Sequence, residues 1–499
     1  MSNQIELHQK TLFGHPTGLF VLFFTELWER FSYYGMRAIL VLYLVSETGG
    51  DNPGMGWSDG SAIALYGWYT MFVYLATIPG GILADRFLGQ RKSVMVGGLL
   101  LCFGHGILAV EALWAFYTGL TFIVLGVGCL KGNISTMVGG LYGNEDIDKR
   151  DMGFYIFYMG INVGAAVSAI VVGYVGEVYN WHYGFGLAGI GMAIGQFVYW
   201  KGQKYLTHVG NKIELDHTNE ESSNLFLQIF KTSNSLIGFS STALLGLYLG
   251  YSGDWNYGLL LIGIAFAVGF AIVVYNDGNK IEKDRILVTY LAFLIVIVFW
   301  GAFEQAGGLM NLYASQKTDL ALGSFMVPAS WFQSVNAIFI LIFATAVGSF
   351  WIWWKKLGYE HSSLFKMALG VIIMGFGFFF MSMAANEVGY DDSGEITKKS
   401  AMYWLVLAYL FHTIGELCAS PVALSFITKL APARWGAFMM GAYFAATGLG
   451  NKVAGLIGEN ASEVGDYTTF IGITIFCTIF GLLVILILKP LKRLVHEAE

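Results

Sequence analysis

A group of ionisable side chains lies inside the first long apolar run of the chain, in the stretch TELWERFSYYGMR at residues 25–37. This stretch contributes four ionisable residues and two tyrosines, which are Glu26, Glu29, Arg30, Arg37, Tyr33 and Tyr34. At about 100° per residue, the ionisable residues and the first tyrosine fall within roughly 100° of one another around a helix. A charge buried in a bilayer is costly unless it faces a partner or a watery cavity. We therefore expect a polar pathway here; the alternative is a structural salt bridge between Glu26 and Arg30.

Four later apolar runs also hold ionisable residues, which are Lys131 in LKGNIST, Glu304 in FWGAFEQAGG, Glu416 in GELCASPVALS and Lys452 in GLGNKVAG. Because a lysine in mid-membrane needs a counter-charge, we expect Lys131 to face Glu26 and Glu29. For Lys452 the pattern leaves open a functional role and a structural or snorkelling one. His105 and His412 also lie in apolar runs, and both are interpreted as core histidines.

Side chains of these types can do two kinds of chemistry. Burial in a medium of low dielectric constant raises the pKa of a carboxylate, so a buried carboxylate can take and release a proton near neutral pH. A site with cations on one wall and a carboxylate on the other suits a zwitterion, such as a free amino acid or a short peptide. Candidates for the rest of the lining are Tyr33, Tyr34, Tyr74, Asn162, Trp300, Asn336 and Ser420. For each aromatic residue taken singly, helix packing is the simpler interpretation.

The composition indicates which elements must position these residues. Of the 499 residues, 56% are hydrophobic and only 12% are charged, whereas soluble domains carry about 25% charged residues. The 64 glycines and 16% aromatic residues fit closely packed membrane helices with interfacial rings. The sequence therefore predicts an all-α polytopic membrane protein. We expect no cofactor and no metal, because the four cysteines lie in apolar runs without the spacing of a metal site.

About fourteen apolar runs of membrane-spanning length follow one another along the chain. They lie near residues 17–46, 60–84, 93–112, 115–143, 152–176, 183–203, 234–252, 257–275, 286–312, 326–354, 364–385, 401–428, 435–459 and 468–488. About 21 of the 28 lysines and arginines fall in one set of loops and in the two tails, and the opposite loops hold only Lys317, Lys398 and Lys399. The positive-inside rule then predicts that both termini are cytoplasmic.

The longest polar stretch between two runs, near residues 204–233, separates six runs from the rest. The predicted organisation is a cytoplasmic tail, a six-helix bundle, a cytoplasmic linker, an inserted two-helix hairpin, a second six-helix bundle and a second tail, at residues 1–16, 17–207, 208–233, 234–277, 284–490 and 491–499. Paired six-helix halves are the pattern of major-facilitator transporters, whose site lies between the halves near mid-membrane.

Several stretches together resemble one transporter family. ELWERFSYYG, at residues 26–35, is similar to the ExxERFxYYG motif of proton-dependent oligopeptide transporters, the POT/PTR family. GGILADRFLGQRK at 80–92 resembles the family's loop between the second and third spans. FYMGINVGA at 157–165, WFQSVNAIF at 331–339 and GELCASPV at 415–422 also match family patterns. The resemblance runs from about residue 16 to 490, and the inserted hairpin is similar to that of prokaryotic members.

The resemblance implies a proton-coupled network, made of Glu26, Glu29, Arg30 and Lys131. By the same resemblance Glu304 would be a further proton site and would form an extracellular gate with Arg37. Animal members place a histidine in the second span, whereas residues 60–84 contain none. Proton handling would then fall on carboxylates.

The resemblance also implies how a peptide would be held. Arg37 and Lys131 would bind its carboxylate, and Glu416, with Asn162 and Asn336, would bind its amino terminus. The pockets for peptide side chains would be lined by Tyr33, Tyr34, Tyr74 and Trp300, with Ser420 in the same cavity.

We therefore expect a proton-coupled symporter that imports di- and tripeptides by alternating access through a bacterial cytoplasmic membrane, functions as a monomer and binds no nucleic acid. The alternative is a facilitator of another small solute, such as nitrate, an amino acid or a drug, because some plant members of the family carry such solutes. A membrane enzyme is disfavoured because the nine histidines are scattered and form no metal box or catalytic pair. A channel is disfavoured because no filter segment repeats.

Overall fold

The computed structural model of the protein describes residues 11–143, 147–212, 233–253 and 255–496. Residues 1–10 of the predicted N-terminal tail, 213–232 of the predicted linker and 497–499 of the C-terminal tail lie outside the described residues. The described chain is almost entirely helical. Two-residue and three-residue strands occur only near the ends of helices and in loops, at Thr11–Leu12, His15–Pro16, Thr318–Asp319, Ala321–Leu322, Phe325–Met326, Gly389–Tyr390, Ile396–Lys398 and Ser400–Ala401.

The helices of the N-terminal part follow one another with short connections. They are α1 (Thr17–Val45), α2 (Asp59–Leu75), α3 (Thr77–Leu83), α4 (Gln90–Leu108), α5 (Leu113–Gly140), α6 (Ile147–Val178) and α7 (Trp181–Gly202). The later helices are α8 (Ser233–Tyr251), α9 (Trp255–Asp277), α10 (Lys280–Phe303), α11 (Leu309–Lys317), α12 (Phe332–Lys356), α13 (Ser363–Glu387), α14 (Tyr403–Leu430), α15 (Gly436–Val464), α16 (Asp466–Leu486) and α17 (Leu488–Val495).

Each predicted apolar run falls on helical chain, so the hydropathy pattern located the helices correctly. Within the described ranges, nine helical segments are long and apolar enough to cross a membrane by length and composition alone. Helix α1 is not among the nine although it has 29 residues. The reason is its content of ionisable residues, since it carries the predicted charged stripe. All four of these ionisable residues are buried, so the stripe faces protein and not lipid.

Two predicted continuous runs are interrupted in the structure. The run at 60–84 ends its first helix at Leu75 and continues as α3 and then as a π-helical turn at Ala84–Leu88. The run at 286–312 is broken by a 3₁₀ turn at Glu304–Ala306, followed by Gly307 and Gly308 before α11 begins. At this break the backbone N–H groups of the two glycines bond three residues back, to Glu304 and Gln305. Hydropathy alone does not reveal such breaks, because the residues on either side remain apolar.

Helix α14 runs through Pro421 without ending. A proline inside a helix has no N–H to donate to the carbonyl four residues earlier, so this helix lacks one internal hydrogen bond. The missing bond lies one turn beyond Glu416, in the part of the helix that the sequence singled out.

The chain divides into two compact units. The larger unit takes the described residues of 1–213, 295–422 and 444–486, and it contains every candidate site residue. The smaller unit takes those of 214–294, 423–443 and 487–499. Within it, the Arg434 guanidinium binds the Asp277 carboxylate at 2.7 Å and the Glu282 carboxylate at 2.7 Å. This ion-pair network joins the end of α9 and the start of α10 to the turn before α15. The predicted division into two six-helix bundles and a hairpin stays a prediction.

Candidate functional site

The charged stripe of α1 forms a compact ion-pair cluster. Glu26, Glu29 and Arg30 are 3%, 0% and 2% exposed. The Arg30 Nε atom lies 3.1 Å from Glu26 Oε1, and the guanidinium also pairs with the adjacent Glu29. The salt bridge considered from the sequence therefore exists. It is one part of a cluster in which a single cation faces two carboxylates, so the three residues leave one negative charge uncompensated when both acids are ionised.

Lys131 lies near this cluster without completing it. Its ammonium is 3.8 Å from the centre of the Tyr74 ring, in a cation–π contact. Among the described residues it forms no ion pair with Glu26 or Glu29, so the expected direct contact is absent, although the charges are close enough to interact electrostatically. Arg30 pairs with both carboxylates, whereas Lys131 lies against the Tyr74 ring.

A second ion pair links α1 to the break after α10. The Arg37 Nη1 atom donates to Glu304 Oε1 at 3.1 Å and to Oε2 at 3.0 Å. The Tyr66 hydroxyl on α2 donates to Glu304 Oε2 at 2.9 Å. Glu304 is 3% exposed, so a buried carboxylate receives three hydrogen bonds. The two residues that the resemblance implied as gate partners are thus in direct contact in this conformation.

Gly307 makes room for this arrangement. A Cβ atom at Gly307 would lie 1.9 Å from the Tyr66 hydroxyl oxygen, which is far inside van der Waals contact. Only a residue without a side chain lets the phenol reach Glu304 across the helix break. The local sequence EQAGG therefore both interrupts the helix and admits the third hydrogen-bond donor.

Glu416, on α14, is held by a side chain of α12. The Asn336 Nδ2 atom donates to Glu416 Oε2 at 2.9 Å and to the Thr413 hydroxyl at 3.0 Å. Thr413 in turn donates to the carbonyl of Tyr409, one turn earlier on α14. The amide of Asn336 is thus oriented by two acceptors, and the carboxylate keeps further lone pairs for a ligand.

These two polar groups face one cavity of about 130 Å³ within the larger unit. A single water needs roughly 10–15 Å³ of such volume, so the space is large enough for a small organic ligand. Its lining includes seven of the predicted site residues, which are Tyr34, Arg37, Asn162, Trp300, Glu304, Asn336 and Glu416. The helices that supply them are α1, α6, α10, α12 and α14, together with the turn after α10.

Other predicted site residues do not line this cavity. They are Glu26, Glu29, Arg30, Tyr33, Tyr74, Lys131 and Ser420. Tyr33 is buried against Tyr34, with ring centres 5.4 Å apart. The Ser420 hydroxyl is buried and has no hydrogen-bond partner among the described residues. Their predicted roles in substrate binding or proton transfer stay predictions.

The structure adds lining and supporting residues that the sequence argument missed. Tyr158, Phe303, Gln333, Tyr409 and His412 line the cavity, and Tyr66 supports Glu304. His412 is a buried core residue as expected, and it also reaches the cavity because it precedes Glu416 by four residues, one helical turn. For His412, this helical periodicity was the available signal.

Lys452 on α15 is fully buried and lies 4.5 Å from the centre of the Trp68 ring. It does not snorkel to a surface, because none of its side chain is exposed. Its contact with Trp68 supports the structural interpretation that the sequence left open. Among the described residues, no group of three or more histidine, cysteine, aspartate or glutamate side chains is placed to hold a metal ion.

The chemistry available at this site is binding and proton exchange. The cavity wall presents an arginine paired with a carboxylate, and a second carboxylate held by an asparagine. An incoming anionic group could compete for Arg37, and an incoming ammonium could bind Glu416.

Known proteins with similar sequences and structures are membrane transporters. Residues 91–469 match the sequence profile described as the POT family. An uncharacterised transporter of Bacillus subtilis, YclF, is 37% identical over 97% of this chain and 96% of that protein. A di-/tripeptide transporter of Lactococcus lactis subsp. cremoris is 35% identical over 98% of this chain and 99% of that protein. A crystal structure of a peptide transporter POT in complex with sulfate has a TM-score of 0.85 at 34% identity, and covers 98% of this chain and 99% of that one.

These matches extend over nearly the whole chain, so they concern the entire helical fold and not one motif. They confirm the family indicated by the motifs, the major-facilitator type of fold, and the interpretation that the protein is a transporter and not an enzyme. This multi-pass membrane protein belongs to the POT family of transporters.

Proposed function

We propose that the protein is a proton-coupled symporter that imports di- and tripeptides by alternating access. The observation that carries this proposal is a cavity of ligand size whose lining includes both a cation, Arg37, and an anion, Glu416. A peptide has a carboxylate at one end and an ammonium at the other. The Lactococcus lactis relative, named a di-/tripeptide transporter, supports peptides as the substrate class.

In this proposal the ends of the peptide are recognised by charge. Arg37, with Lys131, binds the peptide carboxylate, and Glu416, with Asn162 and Asn336, binds its amino terminus. The neighbouring lining, including Tyr34 and Trp300, surrounds the peptide side chains, and we assign Tyr33, Tyr74 and Ser420 to the same environment. Recognition through the backbone ends predicts weak selectivity among peptide side chains, because aromatic walls accept many shapes.

Proton coupling is assigned to the buried carboxylates. Protonation of Glu304 removes the charge that holds Arg37, so the arginine becomes available to the peptide carboxylate. Protonation of Glu26 or Glu29 removes the excess negative charge around Arg30 and weakens the electrostatic attraction that this charge exerts on Lys131, which lies on the Tyr74 ring. Release of the peptide and the proton lets the ion pairs form again. Each elementary charge that moves across the membrane contributes about 2.3 kcal/mol per 100 mV of membrane potential.

We further propose that the protein lies in a bacterial cytoplasmic membrane with both termini in the cytoplasm and acts as a monomer. The loop charges support this orientation, because most lysines and arginines fall on the side of the termini. The Arg37–Glu304 pair then closes the extracellular side in this conformation. The two six-helix bundles would move around the cavity, with the hairpin of α8 and α9 as an inserted element.

The test is uptake of a labelled dipeptide into proteoliposomes under an imposed inward proton gradient. Accumulation above the external concentration, abolished by a protonophore, is expected. Unlabelled dialanine should compete with the labelled peptide, whereas nitrate should not. Competition by nitrate without competition by dialanine would favour another solute, and absence of any gradient-driven uptake would contradict the proposal.

A further inference from the structure

The end of α6 contacts the start of α12 through one carboxylate. Glu177, in the last turn of α6, accepts a hydrogen bond from the backbone N–H of Ala329 at 2.9 Å on Oε2. Its other oxygen, Oε1, accepts one from the backbone N–H of Ser330 at 2.9 Å. These N–H groups belong to the 3₁₀ turn Ala329–Trp331, which leads directly into α12. They would have no partner inside the helix, and a carboxylate there also meets the positive end of the helix dipole.

The two elements approach closely along this contact, which we call the α6–α12 seam and define by Ile170, Gly173, Glu177 and the turn Ala329–Trp331. The Trp331 indole N–H donates to the carbonyl of Ile170 at 2.9 Å. A Cβ atom at Gly173 would lie 2.0 Å from the Ser330 hydroxyl oxygen, so the glycine is required for this approach. The seam thus has three hydrogen bonds along two turns of α6.

The seam positions part of the cavity wall. Helix α12 starts at residue 332, and Gln333 and Asn336 of its first two turns line the cavity. Asn336 is also the residue that orients Glu416. A shift at the start of α12 would therefore be transmitted along a rigid helix to the amide that holds the Glu416 carboxylate.

We propose that Glu177 is a positioning residue that holds the start of α12 against α6 and so favours the conformation in which the Arg37–Glu304 side of the cavity is closed. This proposal rests on the alternating access proposed above. The carboxylate is suited to this role because it makes two charge-assisted hydrogen bonds to one turn of backbone. When both hydrogen bonds break, the start of α12 can move away from α6. Glutamine at this position has nearly the same shape but only one acceptor oxygen, and its amide N–H groups would face a backbone N–H.

The experiment measures distances between spin labels on the two sides of the seam. The labels are attached to cysteines introduced by the substitutions Tyr179→Cys and Met326→Cys, at two exposed positions. The four native cysteines are replaced by alanine in this protein. In detergent or nanodiscs, the parent protein should show mainly one short distance. Glu177→Gln should increase the population of a longer distance about tenfold relative to the short one. The reason is that the charge-assisted hydrogen bonds of Glu177 exist only in the closed form, so the substitution destabilises that form alone. A distribution unchanged by Glu177→Gln would overturn the proposal.

Glu463→Gln is the matched control. Glu463 is an exposed glutamate near the end of α15, so this change also removes one negative charge without touching the seam. It should leave the distance distribution unchanged. An equal shift in both variants would assign the effect to net charge and reject Glu177 as the positioning group.

Kinetics separate positioning from a simple loss of folded protein. If the closed form is destabilised, Glu177→Gln should lower both KM and the maximal uptake rate for dipeptide, each by roughly threefold or more. A larger share of the protein is then in the outward-open form, which binds external peptide, and the closure that must follow binding is less favourable. A lower maximal rate with an unchanged KM would indicate only less active protein and would contradict the proposal. If the parent protein imported no peptide, the proposed function would fail, while the distance measurement would still test the seam.

Discussion

At the scale of single residues, the site consists of buried charges with unequal numbers of partners. Arg30 faces two carboxylates, so one proton or one further cation is needed for neutrality. Glu304 receives three hydrogen bonds, two from Arg37 and one from Tyr66. Such groups respond strongly to a change in one partner, because a buried charge that loses its partner is costly.

The first prediction concerns Glu26. Glutamine at this position imitates a permanently protonated carboxyl and leaves Glu29 as the sole acid beside Arg30. We expect Glu26→Gln to abolish uptake driven by a proton gradient, since the group can no longer release a proton. Exchange of labelled for unlabelled peptide, which needs no net proton movement, should continue. Normal accumulation of peptide by this variant would show that Glu26 is not in the proton network; Glu463→Gln serves as the control for removal of an exposed carboxylate.

The second prediction compares two tyrosines on successive turns of α2. Tyr66→Phe removes a hydrogen bond to the Glu304 carboxylate, and a bond to a charged group contributes about 1.5–3 kcal/mol. We therefore expect a lower thermal unfolding temperature, measured with the purified protein in detergent. Tyr69 is the control, since its hydroxyl is buried and has no hydrogen-bond partner among the described residues. Tyr69→Phe should leave stability unchanged or increase it. Equal losses for the two variants would contradict the assigned role of the Tyr66 hydroxyl.

At the scale of elements, irregularities of the helices place the polar groups. The 3₁₀ turn and the two glycines after α10 put Glu304 at a helix break, where its side chain meets α1 and α2. Discontinuous helices of this kind recur at the binding sites of transporters, because unwound backbone is tolerated in a membrane only where it is buried in protein or lines a cavity. The sequence EQAGG contains the required glycines, but their effect depends on which helix approaches.

The third prediction tests this break. Gly307→Ala places a methyl group where the Tyr66 hydroxyl lies, so the phenol must move away from Glu304. Inserting a methyl group into a filled space of this kind typically costs about 1–3 kcal/mol, and we expect both a lower unfolding temperature and reduced dipeptide uptake. Gly348→Ala on α12 is the control, because a Cβ atom there meets nothing within 4 Å. Unimpaired uptake by Gly307→Ala would show that the close approach of Tyr66 is not needed.

At the scale of the whole molecule, one unit of the chain gathers helices from its first and last parts around the cavity. Arg37 and Glu304 are separated by 267 residues and still form a direct pair. Asn336 and Glu416 are 80 residues apart along the chain and are hydrogen-bonded to each other in the lining of the same cavity. A ligand that contacts both groups therefore joins distant segments of the chain, which is the physical requirement for coupling binding to a rearrangement of helices.

The fourth prediction follows from the two opposite charges of this cavity. Acetylation of the amino terminus and amidation of the carboxyl terminus remove both charges of a dipeptide while keeping its side chains. We expect the doubly capped peptide to compete with labelled dialanine at least 100-fold more weakly, since each lost charged contact costs about 1.5–3 kcal/mol. Singly capped peptides should show intermediate competition. Equal inhibition by capped and free peptides would contradict recognition through the charged ends.

The amino-acid sequence by itself determined the class of the protein and the position of its helices. Long apolar runs can bury their backbone polar groups in lipid only as helices, so hydropathy located the helices without knowledge of any contact. The cost of charge in a bilayer likewise singled out Glu26, Arg37, Lys131, Glu304 and Glu416, and the motif around ELWERFSYYG indicated the family.

Only the tertiary structure decided which of these charges meet. The sequence led us to expect Lys131 to face the α1 carboxylates, but these carboxylates pair with Arg30, and Lys131 lies on the Tyr74 ring. The hydropathy pattern also did not indicate that Tyr66 supports Glu304, or that the run at 286–312 breaks at that residue. Burial and helix formation depend on the nearby sequence, whereas pairing between helices depends on packing of segments far apart along the chain. For that reason the apolar and charge patterns indicated which residues were important, whereas the pairs between helices, such as Arg37 with Glu304, came only from the family resemblance and the structure.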